Sequence, residues 1–172
     1  MQTFNGIELS ISNDISVNVA GDACPQGFGS WCQEKNEYFS GMFPLNLQDP
    51  QIPIHVKEFW CVIISVKLWG ENWLGKKVQI QCDNDAVCDV ITYLKPKDPK
   101  MQCLLREFLY WVCTYKFQPF ISKIGTKENS VADFLSRNFC PIDALNFFSR
   151  NNLPPLKQVH VNESLFDFKS DW

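Results

Sequence analysis

Residues 54–73 carry apolar side chains on nearly every helical face, among them Ile54, Val56, Phe59, Val62, Ile63, Val66 and Trp69. A helix that is apolar all round has no face to give to water and must lie deep in the molecule, packed against a sheet. Its longest apolar stretch, from Phe59 to Trp69, is about half the length a membrane span needs and contains Lys67, so a buried helix is expected and no membrane association. A glutamate, Glu58, sits inside this run.

Three short β-prone runs precede the helix. Residues 15–20 (ISVNVA) alternate and end in Gly-Asp, and residues 28–33 and 38–43 are separated by the polar EKNE. They read as a meander. Residues 42–53 hold Pro44, Pro50 and Pro53 and form a connection. After Gly75, residues 77–82 (KVQIQC) alternate as a strand that runs into Asp83-Asn84-Asp85, where an acidic N-cap can start a helix over 86–93. Pro96 and Pro99 break it. A helix over 101–116, a strand over 117–124 and a last helix from about Asn129 complete the order β-β-β-α-β-α-α-β-α, an α/β chain with five strands. Residues 15–137 form the domain, 1–14 a lead-in and 138–172 a tail. Pro141, Pro154 and Pro155 punctuate that tail, and its apolar clusters LNFF and LFDF suit it to pack on the domain or link to a neighbour.

Composition agrees. With 172 residues, 45% apolar and 20% charged, the chain supports one globular domain, and fourteen Phe and six Trp give it a bulky core. Its eight cysteines lie in apolar segments without zinc-type spacing and read as reduced, buried thiols. Residues 1–14 lack a cationic stretch followed by an apolar run, so no signal peptide is expected. An intracellular location, cytoplasmic or nuclear, follows as the expectation. The net charge of −3 argues mildly against nucleic-acid binding, yet uncompensated acids are also what a metal-dependent nuclease shows without its cations.

Asp22 follows the first strand, Glu58 lies in the buried helix, Asp83 ends a strand, and Asp133 lies in the last helix. A glutamate is costly to bury in an apolar helix unless a metal or partner compensates it. An acid at the C-terminal end of a sheet strand stands where α/β proteins place their ligand crevices. Each acid also has a plain role: a cap for Asp83, a turn for Asp22, a solvated strip beside Lys57 for Glu58, and a dipole contact for Asp133.

The segments GDACPQGFGSW (21–31), HVKEFWCVI (55–63), VQIQCDNDAV (78–87) and KENSVADFLSR (127–137) resemble the ribonuclease H domain of retrotransposon reverse transcriptases, of DIRS-like or gypsy-like elements. The resemblance covers about residues 15–137 and rests most on N-x-x-A-D-x-L-S-R. It implies a ribonuclease H-like five-stranded mixed sheet flanked by helices, with the four acids converging on one rim. They would hold two Mg²⁺ ions, Mn²⁺ being a possible substitute. Asp22 would bridge both ions, Glu58 and Asp83 would complete one site, and Asp133 would help to hold the other. The implied substrate is the RNA strand of an RNA–DNA hybrid, and the implied partner an adjoining reverse transcriptase domain. Gly27, Asn84, Asn129 and Lys123 are the candidate substrate contacts, with Gly29 beside Gly27 as a second place of close approach. Lys95, Lys97, Lys100 and Arg106 form a basic cluster able to hold phosphates or simply to face solvent.

Two positions depart from the pattern. Cys24 replaces the serine of D-A-S, and the loop before the last helix reads SKIGTKEN, with Lys123 where the family often has histidine. A non-catalytic ribonuclease H-like module, and a DNA nuclease or transposase of the same fold, remain open alternatives.

Overall fold

The structure is a computed structural model that describes residues 3–4, 7–8 and 15–168. Of the lead-in, Thr3–Phe4 and Ile7–Glu8 pair antiparallel, and its other residues lie outside the described ones.

Seven-residue strand β1 (Val17–Ala23) is at the centre of the sheet. It pairs antiparallel with β2 (Gly27–Cys32), which pairs antiparallel with β3 (Glu37–Met42). On its other side β1 runs parallel to β4 (Lys77–Cys82), and β4 runs parallel to β5 (Gln118–Lys123). A sixth strand, β6 (Lys157–Gln158), comes from the tail and joins the outer edge of β3 in parallel. The order across the sheet is therefore β5-β4-β1-β2-β3-β6, one strand more than expected.

The helix α1 (Ile54–Trp69) is buried from Val56 to Val66, as its all-round apolar pattern requires. The α-helix ends four residues earlier than expected, and Gly70–Trp73 continues as a 3-10 turn. At Gly70 the Tyr115 ring packs where a Cβ would stand. α1 covers the face of β1 and β2 that presents Val17, Val19, Phe28 and Cys32, and α3 (Pro99–Tyr115) packs behind it. The opposite face, with Tyr38 and Trp31, is covered by α4 (Ser130–Arg137) and α5 (Pro141–Arg150). Strand alternation sends every second residue of β1 to each side. Between β4 and α3 lies α2 (Asp85–Tyr93), whose N-cap is Asn84, accepting from Ala86 N at 2.9 Å and Val87 N at 3.4 Å. Asp83 is thus released from the capping role that the sequence allowed it.

The tail carries helix α5 and aromatic anchors. Phe147 stacks on Phe134 at 4.1 Å, and Phe148 meets Tyr38 edge-on at 5.2 Å. Phe166 lies between Phe28, Phe43 and Trp60 at 5.3, 6.0 and 5.6 Å. The cysteines are free thiols and five are buried. Among the described residues no helix is long and apolar enough to cross a membrane.

Candidate active site

Parallel pairing brings two of the acids to one rim. The β1–β4 register ends at Ala20 opposite Gln81, and two residues further along the strands stand Asp22 and Asp83. Glu58 enters from α1, near its N-terminal end, and lies beside the last β4 residue, with the Cys82 thiol donating to Glu58 Oε2 at 3.7 Å. The ligand atoms of Glu58, Cys82 and Asp83 all lie within 4.8 Å of one another. Asp133 comes from the first turn of α4 on the other face of the sheet, close enough to raise the pKa of Asp22.

Electrostatics separate these groups. Burial pushes the Asp22 carboxyl up to about 6; Ser136 opposes the shift by hydrogen bonding, while the charges of Asp83 and Asp133 add to it. Burial likewise lifts Glu58 to about 7; a hydrogen bond from Asn84 opposes, and Asp22 and Asp83 add. Asp22 and Glu58 are each only 7% exposed. Among the described residues no lysine or arginine forms an ion pair with Asp22, Glu58 or Asp83. The neighbouring lysine, Lys57, is buried as well and donates to the Pro25 carbonyl at 2.7 Å, so the solvated strip the sequence allowed does not exist.

This donor set fits a divalent cation. Two desolvated carboxylates, crowded by other acids and with no cation in direct ion-pair contact, are the arrangement a metal relieves. The Cys82 thiol is held protonated, far above its usual range, by its hydrogen bond with Cys88 and by burial. That leaves carboxylate oxygens as the ligands, and such hard donors suit Mg²⁺ or Mn²⁺. Asp133 is at the margin: its Oδ1 accepts from Arg137 Nε at 2.9 Å in an exposed pair.

The candidate substrate contacts are placed less favourably. Gly27 faces the protein, since a Cβ there would stand 2.6 Å from the Ser136 carbonyl oxygen and run into the Phe139 ring. Close helix packing gives this glycine a structural reason, and likewise Gly29. Asn129 is 2% exposed and donates to the Gly21 carbonyl at 3.2 Å, which ties α4 to β1. Asn84 combines its cap with its bond to Glu58. Lys123, at the end of β5, is exposed and ion-paired with Asp85 at 2.5 Å. Lys95, Lys97, Lys100 and Arg106 are all exposed. Cys24 does the work of a hydroxyl: it accepts from Gly27 N and donates to the Ser136 carbonyl, both at 3.1 Å.

Ser136 was not singled out by the sequence. It is fully buried, and its hydroxyl donates to Asp22 Oδ2 at 2.7 Å. Its place in the N-x-x-A-D-x-L-S-R pattern was the available signal.

The fold, a mixed sheet flanked by helices, is similar to that of solved ribonucleases H. LC11-RNase H1, solved in complex with an RNA/DNA hybrid, superposes with a TM-score of 0.59 at 13% identity, covering 70% of this chain and 93% of that one. The fold is ribonuclease H-like. Ribonuclease H1 of the halophilic archaeon Halobacterium salinarum gives 0.59 at 12% identity over 76% of this chain and 98% of that one. The N-terminal ribonuclease H domain of a Mycobacterium tuberculosis protein gives 0.52 at 15% identity over 80% and 99%. No protein-family model matches the chain, and no curated protein does.

Proposed function

We propose that this ribonuclease H-like chain hydrolyses the RNA strand of RNA–DNA hybrids, as the ribonuclease H domain of a retroelement reverse transcriptase. The observation that carries the reading is the pair of buried carboxylates, Asp22 and Glu58, beside Asp83 and with no lysine or arginine in direct ion-pair contact among the described residues. Asp22, Glu58, Asp83 and Asp133 would hold two Mg²⁺ ions through hard oxygen atoms. When bound, such ions activate a water for in-line attack and stabilise the leaving 3′ oxygen.

The protein's own groups prepare that chemistry. Asn84 orients Glu58, and Arg137 restrains Asp133. Exposed at the same rim, Lys123 can exchange its partner Asp85 for a substrate phosphate. With lysine in place of the family's loop histidine, no imidazole carries a proton here, and the reading implies slow turnover. A 2′-hydroxyl beside the scissile phosphate distinguishes RNA from DNA. An adjoining polymerase domain would deliver the hybrid.

The test is hydrolysis of a labelled RNA–DNA hybrid with Mg²⁺, run beside single-stranded RNA, duplex DNA and an EDTA control. Cleavage of the hybrid alone, lost in Asp83→Asn, is expected. Cleavage of duplex DNA but not of the hybrid would move the chain to the DNA nucleases of this fold. Hybrid cleavage unaffected by Asp83→Asn would overturn the assignment of the activity to this site, and no cleavage at all would leave a non-catalytic module.

A further inference from the structure

Gly29 is the register partner of Asp22 across the β1–β2 ladder. A Cβ at Gly29 would stand 2.5 Å from the Leu135 carbonyl carbon and 2.6 Å from the Ser136 nitrogen. The backbone of α4 therefore rests directly on the bare backbone of β2 at the level of Asp22. The Cys24 thiol holds the Ser136 carbonyl at 3.1 Å, which fixes the same turn from the other side. Ser136 is in this way locked by its backbone, with its hydroxyl aimed at β1.

That hydroxyl has two acceptors in reach, Asp22 Oδ2 at 2.7 Å and the Asp133 carbonyl at 2.9 Å, and one proton to give. A carboxylate is the stronger acceptor. We propose that Ser136 is a positioning residue for the cation site: its hydroxyl holds the Asp22 carboxylate by one oxygen, and the Gly27-Phe28-Gly29 backbone exists to bring α4 close enough for that contact. The inference rests on the reading of Asp22 as a ligand for a divalent cation. It gives the glycines of β2 and the serine of A-D-x-L-S-R one shared task. A purely local role, in which Ser136 only back-bonds to Asp133 within its helix, predicts no effect on the cation.

The experiment is Mg²⁺ titration calorimetry of the whole chain without nucleic acid, beside hybrid cleavage across a range of Mg²⁺ concentrations. Ser136→Ala is expected to keep its melting temperature within a few degrees and to bind Mg²⁺ about tenfold more weakly. Its cleavage should half-saturate at correspondingly higher Mg²⁺ and recover most of its rate at saturation. Should Ser136→Ala fail to fold, the near-isosteric pair Ser136→Thr and Ser136→Val decides: Thr keeps the affinity, Val loses it. Equal Mg²⁺ affinity in wild type and Ser136→Ala, or in the Thr and Val variants, overturns the inference while leaving the nuclease reading intact. Wild type that binds Mg²⁺ but leaves the hybrid uncut overturns the nuclease reading, and the calorimetric comparison still judges Ser136. Wild type that binds no Mg²⁺ overturns both.

Discussion

Lys67 of α1 and Glu107 of α3 form an ion pair at 2.8 Å with side chains 3% and 0% exposed. The same ammonium donates to the carbonyls of Leu165 and Asp167 at 2.9 and 2.7 Å, so the tail is bonded to a charge held between α1 and α3. Trp111 Nε1 donates to the same glutamate at 2.8 Å. Removing one partner strands the other charge in the interior. Glu107→Gln should lower stability by about 3 kcal/mol in urea unfolding, while the double change Lys67→Met with Glu107→Leu should lose much less. Equal losses from the two would refute the stranded-charge explanation. Lys67→Met alone should also make residues 163–168 more sensitive to protease.

The raised carboxyls give stability a pH dependence with a definite sign. Unfolded Asp and Glu titrate near ~3.9 and ~4.3, whereas in the fold Asp22 and Glu58 do so at about 6 and about 7. The folded state thus binds protons more tightly, and the stabilisation from these groups, complete below about pH 4, is lost as pH rises through about 6 and 7. In EDTA their contribution lowers the melting temperature between pH 5 and pH 8, by on the order of 5 °C. Added Mg²⁺ should stabilise more at pH 8 than at pH 5.5, because it binds the deprotonated groups. Calorimetric scans in EDTA that match those of a Glu58→Gln, Asp22→Asn double variant across this window would rule the effect out.

Glu58→Gln should separate stability from activity. Neutralising a desolvated carboxylate that faces Asp22 and Asp83 is expected to raise metal-free stability by about 1 kcal/mol. It should also abolish most of the stabilisation by Mg²⁺ and reduce hybrid cleavage by about 100-fold or more. Thermal melts with and without Mg²⁺, beside the cleavage assay, check both halves. A variant less stable than wild type in EDTA would contradict the view that the site is strained by its own charges.

Gly29→Ala tests the docking of α4. Its Cβ would meet backbone, which cannot step aside, so a loss of about 3 kcal/mol is expected. Gly41→Ala meets only the tip of the Phe28 ring at 3.3 Å, which has to give by a few tenths of an ångström and not by the width of a backbone, and should cost about 1 kcal/mol. Similar midpoints for the two variants in denaturant would deny that helix and strand are in direct contact.

Much of the domain was legible in order and kind. KVQIQC marks β4 to the residue because its strict alternation matches a strand buried on one face, and the all-apolar run around Phe59 announces a central helix. The tail was less legible. Pairing of Lys157–Gln158 with β3 and the packing of Phe166 against three rings depend on partners more than a hundred residues away, and no local pattern encodes them.

For the site, the sequence by itself determined that Asp83 stands at a strand end and Glu58 in a helix that has to be buried, whereas Asp22, expected after the first strand, lies inside β1. Position along a strand follows from local periodicity, so Asp83 at the end of β4 and Glu58 inside α1 could be read from residue types alone. Only the tertiary structure decided which side chains face one another. It placed Gly27 and Asn129 inside the protein, made Asn84 the cap in place of Asp83, and brought Ser136 of α4 to Asp22 of β1 across 114 residues of chain. That last contact exists because two glycines let a helix settle on the backbone of a strand. Such a fit is a matter of packing in three dimensions, which spacing along the chain does not record.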